Sequence, residues 1–356
     1  MLDTPVVLRH FSEIASRYDI FLLDQFGVLH NGVAAIPGAR EAVQMLVDRG
    51  KQVVICSNTS QRREYALSRF IAMGFPTQGV QFLTSGESCF QHLRQSRHSR
   101  AFVFGWSNPE LTAGFLSGLE GFSSVGLDEA DCVLFHGPDT MGPGRQPVTL
   151  SCTGVVDACV HEVLTEAAHR GLPALCANMD MQARMSNEIR YMPGVLKAHY
   201  EGIGGSVVAF GKPRAEFFDA ALALALERLQ QQQAGNGQVR VELARNGDGA
   251  KNIPRPGILR ARALHVGDSL QHDIDGAFNA RIDSLLITDH GIHRDEFASK
   301  MGAGVACVDT ASGPGTCNGL LPLEPAPEPS LIRLVTNYAE RLGHSAPTYI
   351  IRTFVP

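Results

Sequence analysis

Apolar runs alternate with amphipathic stretches along most of the chain. Val6, Val7, Phe11, Ile14 and Ala15 have helical spacing over Val6–Ser16, which leads into a strand at Ile20–Asp24. After the Asn31-Gly32 turn, Pro37-Gly38-Ala39 opens a helix that runs through Val47 and stops at Gly50. Lys51 to Cys56 reads as an apolar strand, and the next helix starts near Gln61-Arg62-Arg63 and ends at Gly74. This order predicts parallel strands joined by right-handed crossovers.

The alternation restarts between Gly86 and about Gly205, with short strands at Ala101–Gly105, Ala130–His136 and Pro173–Asn178 and a loop over Gly137–Gly144. The fold class expected is α/β: a doubly wound, Rossmann-like parallel sheet with a second, smaller α/β unit inserted. The core would comprise residues 1–85 and 206–356, and the insert residues 86–205. Val207–Gly211 returns to core strand character, and Arg214–Gln230, rich in Ala and Leu, is a helix. Residues 231–260 change texture to Gln, Gly, Asn and scattered basic residues, which predicts a flexible surface insertion. Leu264–Asp268 and Ser284–Thr288 read as strands around a helix at Gln271–Ala280. Pro322–Pro329 reads as a linker, Leu331–Leu342 as a terminal helix and Tyr349–Val355 as an edge strand.

Composition narrows the class. A chain of 356 residues, 44% hydrophobic and 19% charged, is long enough for two domains with a sizeable core. The net charge of −5 gives no basic footprint, so nucleic acid is not an expected partner. The cysteines at 56, 89, 132, 152, 159, 176, 307 and 317 form no Cys-x-x-Cys pair, and several sit in apolar runs, as reduced buried thiols do. The first residues lack a basic segment followed by a long apolar core, and no apolar run reaches bilayer length. The expectation is a cytoplasmic protein without a membrane partner.

Four polar clusters follow four apolar strands: Asp24 with Gln25, Ser57-Asn58-Thr59, Gly211-Lys212-Pro213, and Gly267-Asp268-Ser269 with Asp273. Ligands of open α/β sheets bind outside the carboxyl ends of the strands, where these clusters would converge. Carboxylates, a hydroxyl and a lysine at one edge can hold a divalent cation beside a phosphate dianion, and oxygen ligands suit Mg²⁺. Each cluster has a plainer alternative: an Asp or Gly-Asp-Ser turn, a Ser-Asn helix cap, a surface lysine.

Taken together, these motifs resemble the haloacid dehalogenase superfamily of the class IIA type, which holds nucleotide, pyridoxal phosphate and nitrophenyl phosphatases. The matching residues are Asp24-Gln25-Phe26-Gly27-Val28-Leu29 with Pro37-Gly38-Ala39, then Ser57-Asn58-Thr59-Ser60, Thr84-Ser85-Gly86, Ala177-Asn178-Met179-Asp180, Gly211-Lys212-Pro213, and Gly267-Asp268-Ser269 with Asp273. The resemblance implies a C2-type cap for residues 86–205 and a Mg²⁺-dependent phosphohydrolase acting on a small phosphorylated metabolite. Asp24 would be the nucleophile, carrying an aspartyl phosphate. Gln25, Phe26, Ser57, Asn58 and Thr59 would surround the phosphate, and Lys212 would neutralise it. Asp24, the Phe26 carbonyl and Asp268 would ligate the metal, with Asp273 ligating through water or orienting the shell. Asn178, Asp180 and Arg184 of the cap would face the substrate. Caps of this type often mediate homodimers in relatives, so a homodimer is among the partners the resemblance implies.

The family pattern is Asp-x-Asp, whose second Asp protonates the leaving group and later activates water. Here that position is Phe26, which carries no proton. His30 is a candidate substitute acid or base, against the plainer reading of a packing residue. A protein that binds a phosphorylated ligand with little turnover is therefore the alternative expectation.

Overall fold

The computed structural model describes residues 4–185, 188–235, 256–300 and 328–356. The strands, in chain order, begin with β1 (Val6–Leu8), β2 (Ile20–Leu23), β3 (Gln52–Ser57) and β4 (Val80–Thr84). Next come β5 (Arg100–Gly105), β6 (Ser123–Ser124), β7 (Cys132–Phe135), β8 (Thr140–Met141), β9 (Gln146–Pro147) and β10 (Ala174–Cys176). The series ends with β11 (Gln182–Met185), β12 (Glu188–Tyr191), β13 (Val207–Ala209), β14 (Ala263–Gly267), β15 (Asp283–Ile287) and β16 (Tyr349–Ile351).

One seven-stranded sheet has the order β1-β16-β15-β14-β2-β3-β4, parallel throughout. Its central strands are apolar because both faces are covered. Phe21, Leu23, Val53, Ile55, Leu264 and Val266 point into one core layer with the helix at Ala39–Asp48. Their neighbours Ile20, Leu22, Val54, Cys56 and Ala263 point into the opposite layer, against Phe217, Phe218, Ala221 and Leu222 of the helix Ala215–Gly235. Fully burying each such Leu, Ile or Phe contributes about 1.5–3 kcal/mol. The period-two alternation thus fixes the strand register and brings the polar residues after Leu23, Ser57 and Gly267 to one edge.

A second sheet, β13-β10-β7-β5-β8-β9 with β6 beside β5, occupies the segment between β4 and the long helix. Its helices Ala158–His169 and Gly194–Gly202 pack with it around Phe104, Phe135, Leu164, Leu196 and Tyr200. The antiparallel hairpin β11–β12 stands apart from both sheets.

Several elements differ from the sequence expectation. Val6–Leu8 is a strand, and helix is confined to Ser12–Ala15; three consecutive large apolar residues, two of them β-branched, favour a strand over the first turn of a helix. β1 takes the sheet edge, so Tyr349–Ile351 is an interior strand between β1 and β15. Val207–Ala209 pairs with β10 in the second sheet and not with the core, because Ala174 to Cys176 offers it an open parallel edge. β4 was not expected, and the Gly137–Gly144 loop contains β8, antiparallel to β5. Helix extends to Gly235 and resumes at Pro256–Ala261, inside the expected flexible stretch; residues 236–255 lie outside those described. The expected linker lies mostly outside them too, and Glu328 already begins the terminal helix. Cys56, Cys89, Cys132 and Cys176 are buried free thiols. Among the described residues no helix is long and apolar enough to cross a membrane.

Candidate active site

Asp24 follows β2 directly and is 8% exposed. Its amide donates to the carbonyl of Val266 at 2.9 Å, tying the β2 exit to β14. The next turn is tight: Gly27 has φ +75°, and a Cβ there would sit 2.4 Å from Asp268 Oδ2. On the other side of Asp268, a Cβ on Gly291 would come within 2.4 Å of the Asp268 Cβ. Two glycines thus clasp this carboxylate, and the amide of Ile292 donates to Oδ2 at 2.7 Å.

Lys212, 2% exposed, sends Nζ between Asp24 Oδ1 at 2.7 Å and Asp273 Oδ1 at 2.6 Å. Asp273 is saturated: Oδ1 also meets His265 Nε2 at 2.8 Å, and Oδ2 accepts from the amides of Asp268 at 3.1 Å and Ser269 at 3.0 Å. This geometry depends on a π-turn over Leu270–Ile274, where an ordinary α-helix was expected. Asp24, Asp268 and Asp273 can present oxygens all within 4.8 Å of one another.

The charges do not balance. Three carboxylates face one ammonium, since burial holds His265 below its usual pKa and hence neutral. Burial, aided by Asp273 and opposed by Lys212, pushes the Asp24 carboxyl up to about 7. Burial and the two neighbouring carboxylates push Asp268 well above the ordinary range. Burial acts the same way on Asp273, but Lys212 and His265 outweigh it and hold that carboxyl low. Lys212 is desolvated, yet Asp24 and Asp273 raise it, so it stays charged.

Asn58 organises the opposite wall. Its Oδ1 accepts from the Lys212 amide at 2.7 Å, and its Nδ2 donates to the Lys212 carbonyl at 2.9 Å and to Asp180 Oδ1 at 2.8 Å. Ser57 Oγ accepts from the Thr59 amide at 3.2 Å, shaping the turn, and Thr59 Oγ1 accepts from the Gln61 amide at 3.3 Å. The buried Gln25 contributes its carbonyl to the amides of Leu29 and His30. In the second unit, Asn178 Oδ1 accepts from the Asp180 amide at 2.8 Å and so aims Asp180 at Asn58.

Phe26 is half-buried with its ring edge-on to His30, centroids 4.6 Å apart. His30 is 3% exposed and its Nδ1 accepts from the Gly32 amide at 3.2 Å. Burial, with the Arg69 charge nearby, pushes its imidazole down to about 4. His30 is a neutral packing partner of Phe26. Arg184 is likewise not a free cationic side chain: it is buried, and bonds Gly291 and Asp295.

Sequence reasoning missed three contributors. His265 is the lone polar residue inside an otherwise apolar strand, which was a usable signal. His272, whose Nε2 lies 3.6 Å from Asp180 Oδ1, looked like an ordinary helix residue. Trp106, whose Nε1 donates to Ser60 Oγ at 3.0 Å across the two units, had no signal in sequence spacing.

Sheet order and site together define a doubly wound α/β core with an acidic edge beneath a second α/β unit. Residues 21–113 match the family described as haloacid dehalogenase-like hydrolase, and residues 209–311 match the HAD-hydrolase-like family. The chain belongs to the haloacid dehalogenase-like hydrolases. It is 27% identical to a 4-nitrophenylphosphatase of Schizosaccharomyces pombe over 302 residues, 81% of this chain and 89% of that one. A haloacid dehalogenase-like hydrolase from Brucella suis shares the fold with a TM-score of 0.63 at 21% identity, over 81% of this chain and 91% of that chain. A Cytophaga hutchinsonii protein described as a possible sugar phosphatase shares it with a TM-score of 0.62 at 16% identity, over 98% of both chains.

Proposed function

We propose that the protein is a Mg²⁺-dependent phosphohydrolase for a small phosphorylated metabolite, working through an aspartyl phosphate on Asp24. The observation that carries this is the buried set Asp24, Asp268 and Asp273 around the single ammonium of Lys212. With all three ionised, as cation binding requires, three carboxylates less one ammonium leave two negative charges, which a divalent cation offsets. All donors are oxygens, the preference of a hard cation such as Mg²⁺. Asp24 and Asp268 would hold it directly. Asp273, whose oxygens already meet four donors, would fix the positions of Lys212 and of the Asp268 backbone. When bound, the cation draws negative charge from the phosphate oxygens.

Asp24 would attack phosphorus as the carboxylate, with Lys212 offsetting the repulsion between carboxylate and dianion. Ser57, Asn58 and Thr59 line the turn beside it. With Phe26 in the general-acid position, the leaving oxygen departs without a proton from that residue, so weakly basic leaving groups are favoured. Residues 86–205 together with β13 would form the cap, with Asn178 and Asp180 its substrate-facing turn. The relative named 4-nitrophenylphosphatase supports the reading. Ligand binding with little turnover is a second reading, favoured by Phe26 alone.

A panel of phosphate esters assayed with and without Mg²⁺ tests the proposal. Turnover of nitrophenyl or acetyl phosphate that disappears with EDTA is expected. Binding of phosphate with no turnover of any ester would favour the second reading.

A further inference from the structure

Arg184 lies on β11, at the hairpin that leaves the second unit, yet its side chain is only 5% exposed and bonds entirely to the core. Nε donates to the Gly291 carbonyl at 3.1 Å, and Nη2 donates to Asp295 Oδ2 at 2.7 Å. These two anchors bracket Ile292, whose amide donates to Asp268 Oδ2 at 2.7 Å. Gly291 itself lies so close to Asp268 that a Cβ would stand 2.4 Å from the Asp268 Cβ and 2.8 Å from Oδ2. One guanidinium therefore spans the short loop that holds Asp268 in place. A planar fork suits this task, because two fixed N–H directions set the loop's position and its tilt.

We propose that Arg184 is a positioning residue that couples the seating of the β11–β12 hairpin to the conformation of Asp268, and through it to the affinity of the site for its divalent cation. This rests on the reading of Asp24 and Asp268 as Mg²⁺ ligands. When the hairpin is seated, Arg184 holds Gly291 against Asp268 and keeps the Ile292 amide on Oδ2, leaving Oδ1 for the cation. When the hairpin lifts, the loop loses two bonds and the carboxylate is free to turn. Cation binding and hairpin seating then favour each other, since each stabilises the same arrangement of Asp268. The sequence expectation for Arg184 was contact with substrate; its bonds go to Gly291 and Asp295, on either side of the residue whose amide holds Asp268.

The test is calorimetric titration of Mg²⁺ into the metal-free full-length protein. Arg184→Ala is expected to weaken Mg²⁺ binding about tenfold, the lower end for loss of a group that orients a metal ligand. Arg184→Lys, with one ammonium in place of the fork, should restore part of that loss. Asp295→Asn, at a half-exposed residue, should weaken binding in the same direction but less. In nitrophenyl phosphate hydrolysis, the Mg²⁺ concentration for half activity should rise while kcat at saturating Mg²⁺ stays within about twofold, which a general loss of structure would not produce. Should Arg184→Ala fail to fold, Asp295→Asn and Arg184→Lys decide the question. Unchanged Mg²⁺ affinity in folded variants, with KM altered among phosphate esters, would overturn the coupling and make Arg184 a substrate residue. A wild-type protein that binds no Mg²⁺ would instead overturn the metal reading beneath it.

Discussion

The ammonium of Lys212 lies 2.7 Å from Oδ1 of Asp24, and both groups are buried. The same nitrogen reaches Asp273 at 2.6 Å, so one cation holds two carboxylates that would otherwise repel each other. Removing it strands buried charge, a loss of about 3–5 kcal/mol where a partner of a buried pair is deleted. Lys212→Met should therefore lower stability by an amount in this range in urea unfolding at pH 8 without Mg²⁺, and abolish hydrolysis. A variant as stable as wild type would show that the ion pair contributes nothing.

Asp268→Asn removes a carboxyl group that, on the proposed reading, would ligate the cation. It should weaken Mg²⁺ binding by at least tenfold, the range for disturbance of a metal shell, and remove hydrolysis. Calorimetry with undiminished Mg²⁺ affinity in this variant would count against Asp268 as a ligand.

The stabilisation that Mg²⁺ confers should depend on pH. The Asp24 carboxyl is raised to about 7 by burial, so the metal-free fold prefers it protonated. Its contribution is present below the ordinary carboxylate pKa and lost as pH rises through about 7, whereas Mg²⁺ requires the carboxylate. The rise in Tm on adding Mg²⁺ should accordingly be larger at pH 8 than at pH 5.5. An equal rise at both would contradict the placement of the cation at Asp24.

Gly291→Ala tests the clasp around Asp268. Gly291 has no positive φ, so the added methyl acts only by contact, 2.4 Å from the Asp268 Cβ. Either Asp268 or its loop must shift, and where Asp268 does, a displacement of about 1 Å in a catalytic constellation can cost about 10²-fold in rate. Hydrolysis at the wild-type level would mean the loop yields freely.

Much of this site could be read from the sequence, because apolar strands of uniform period deliver Asp24, Ser57 and Asp268 to one edge whatever else the chain does. The partners of those residues were harder to see. Asp273 reaches Lys212 only through a π-turn, and no side-chain pattern distinguishes that turn from an α-helix. Arg184 read as a substrate contact because its bonds to Gly291 and Asp295 join residues more than a hundred positions apart. Short strands were misplaced for a related reason: Val6–Leu8 and Val207–Ala209 are three residues each, and their pairing partners, not their own patterns, decide where they go.

Phe26 bears on rate. Wild type should turn over acetyl or nitrophenyl phosphate well ahead of sugar phosphates, whose alkoxides leave poorly without a proton. Phe26→Asp should raise alkyl phosphate hydrolysis by up to about 10²-fold, the lower end of general-acid contributions. Wild-type rates equal for the two ester classes would mean that another group supplies the proton.

The most direct measurement is trapping of the phosphoenzyme. Wild-type protein is mixed with nitrophenyl phosphate and Mg²⁺, quenched in acid, digested and examined by mass spectrometry. The expected result is a phosphoryl group on the peptide containing Asp24, labile to hydroxylamine, and absent with EDTA or in Asp24→Asn. Nitrophenolate release that persists in Asp24→Asn, or wild-type turnover with the phosphoryl group on another residue, would contradict Asp24 as the nucleophile.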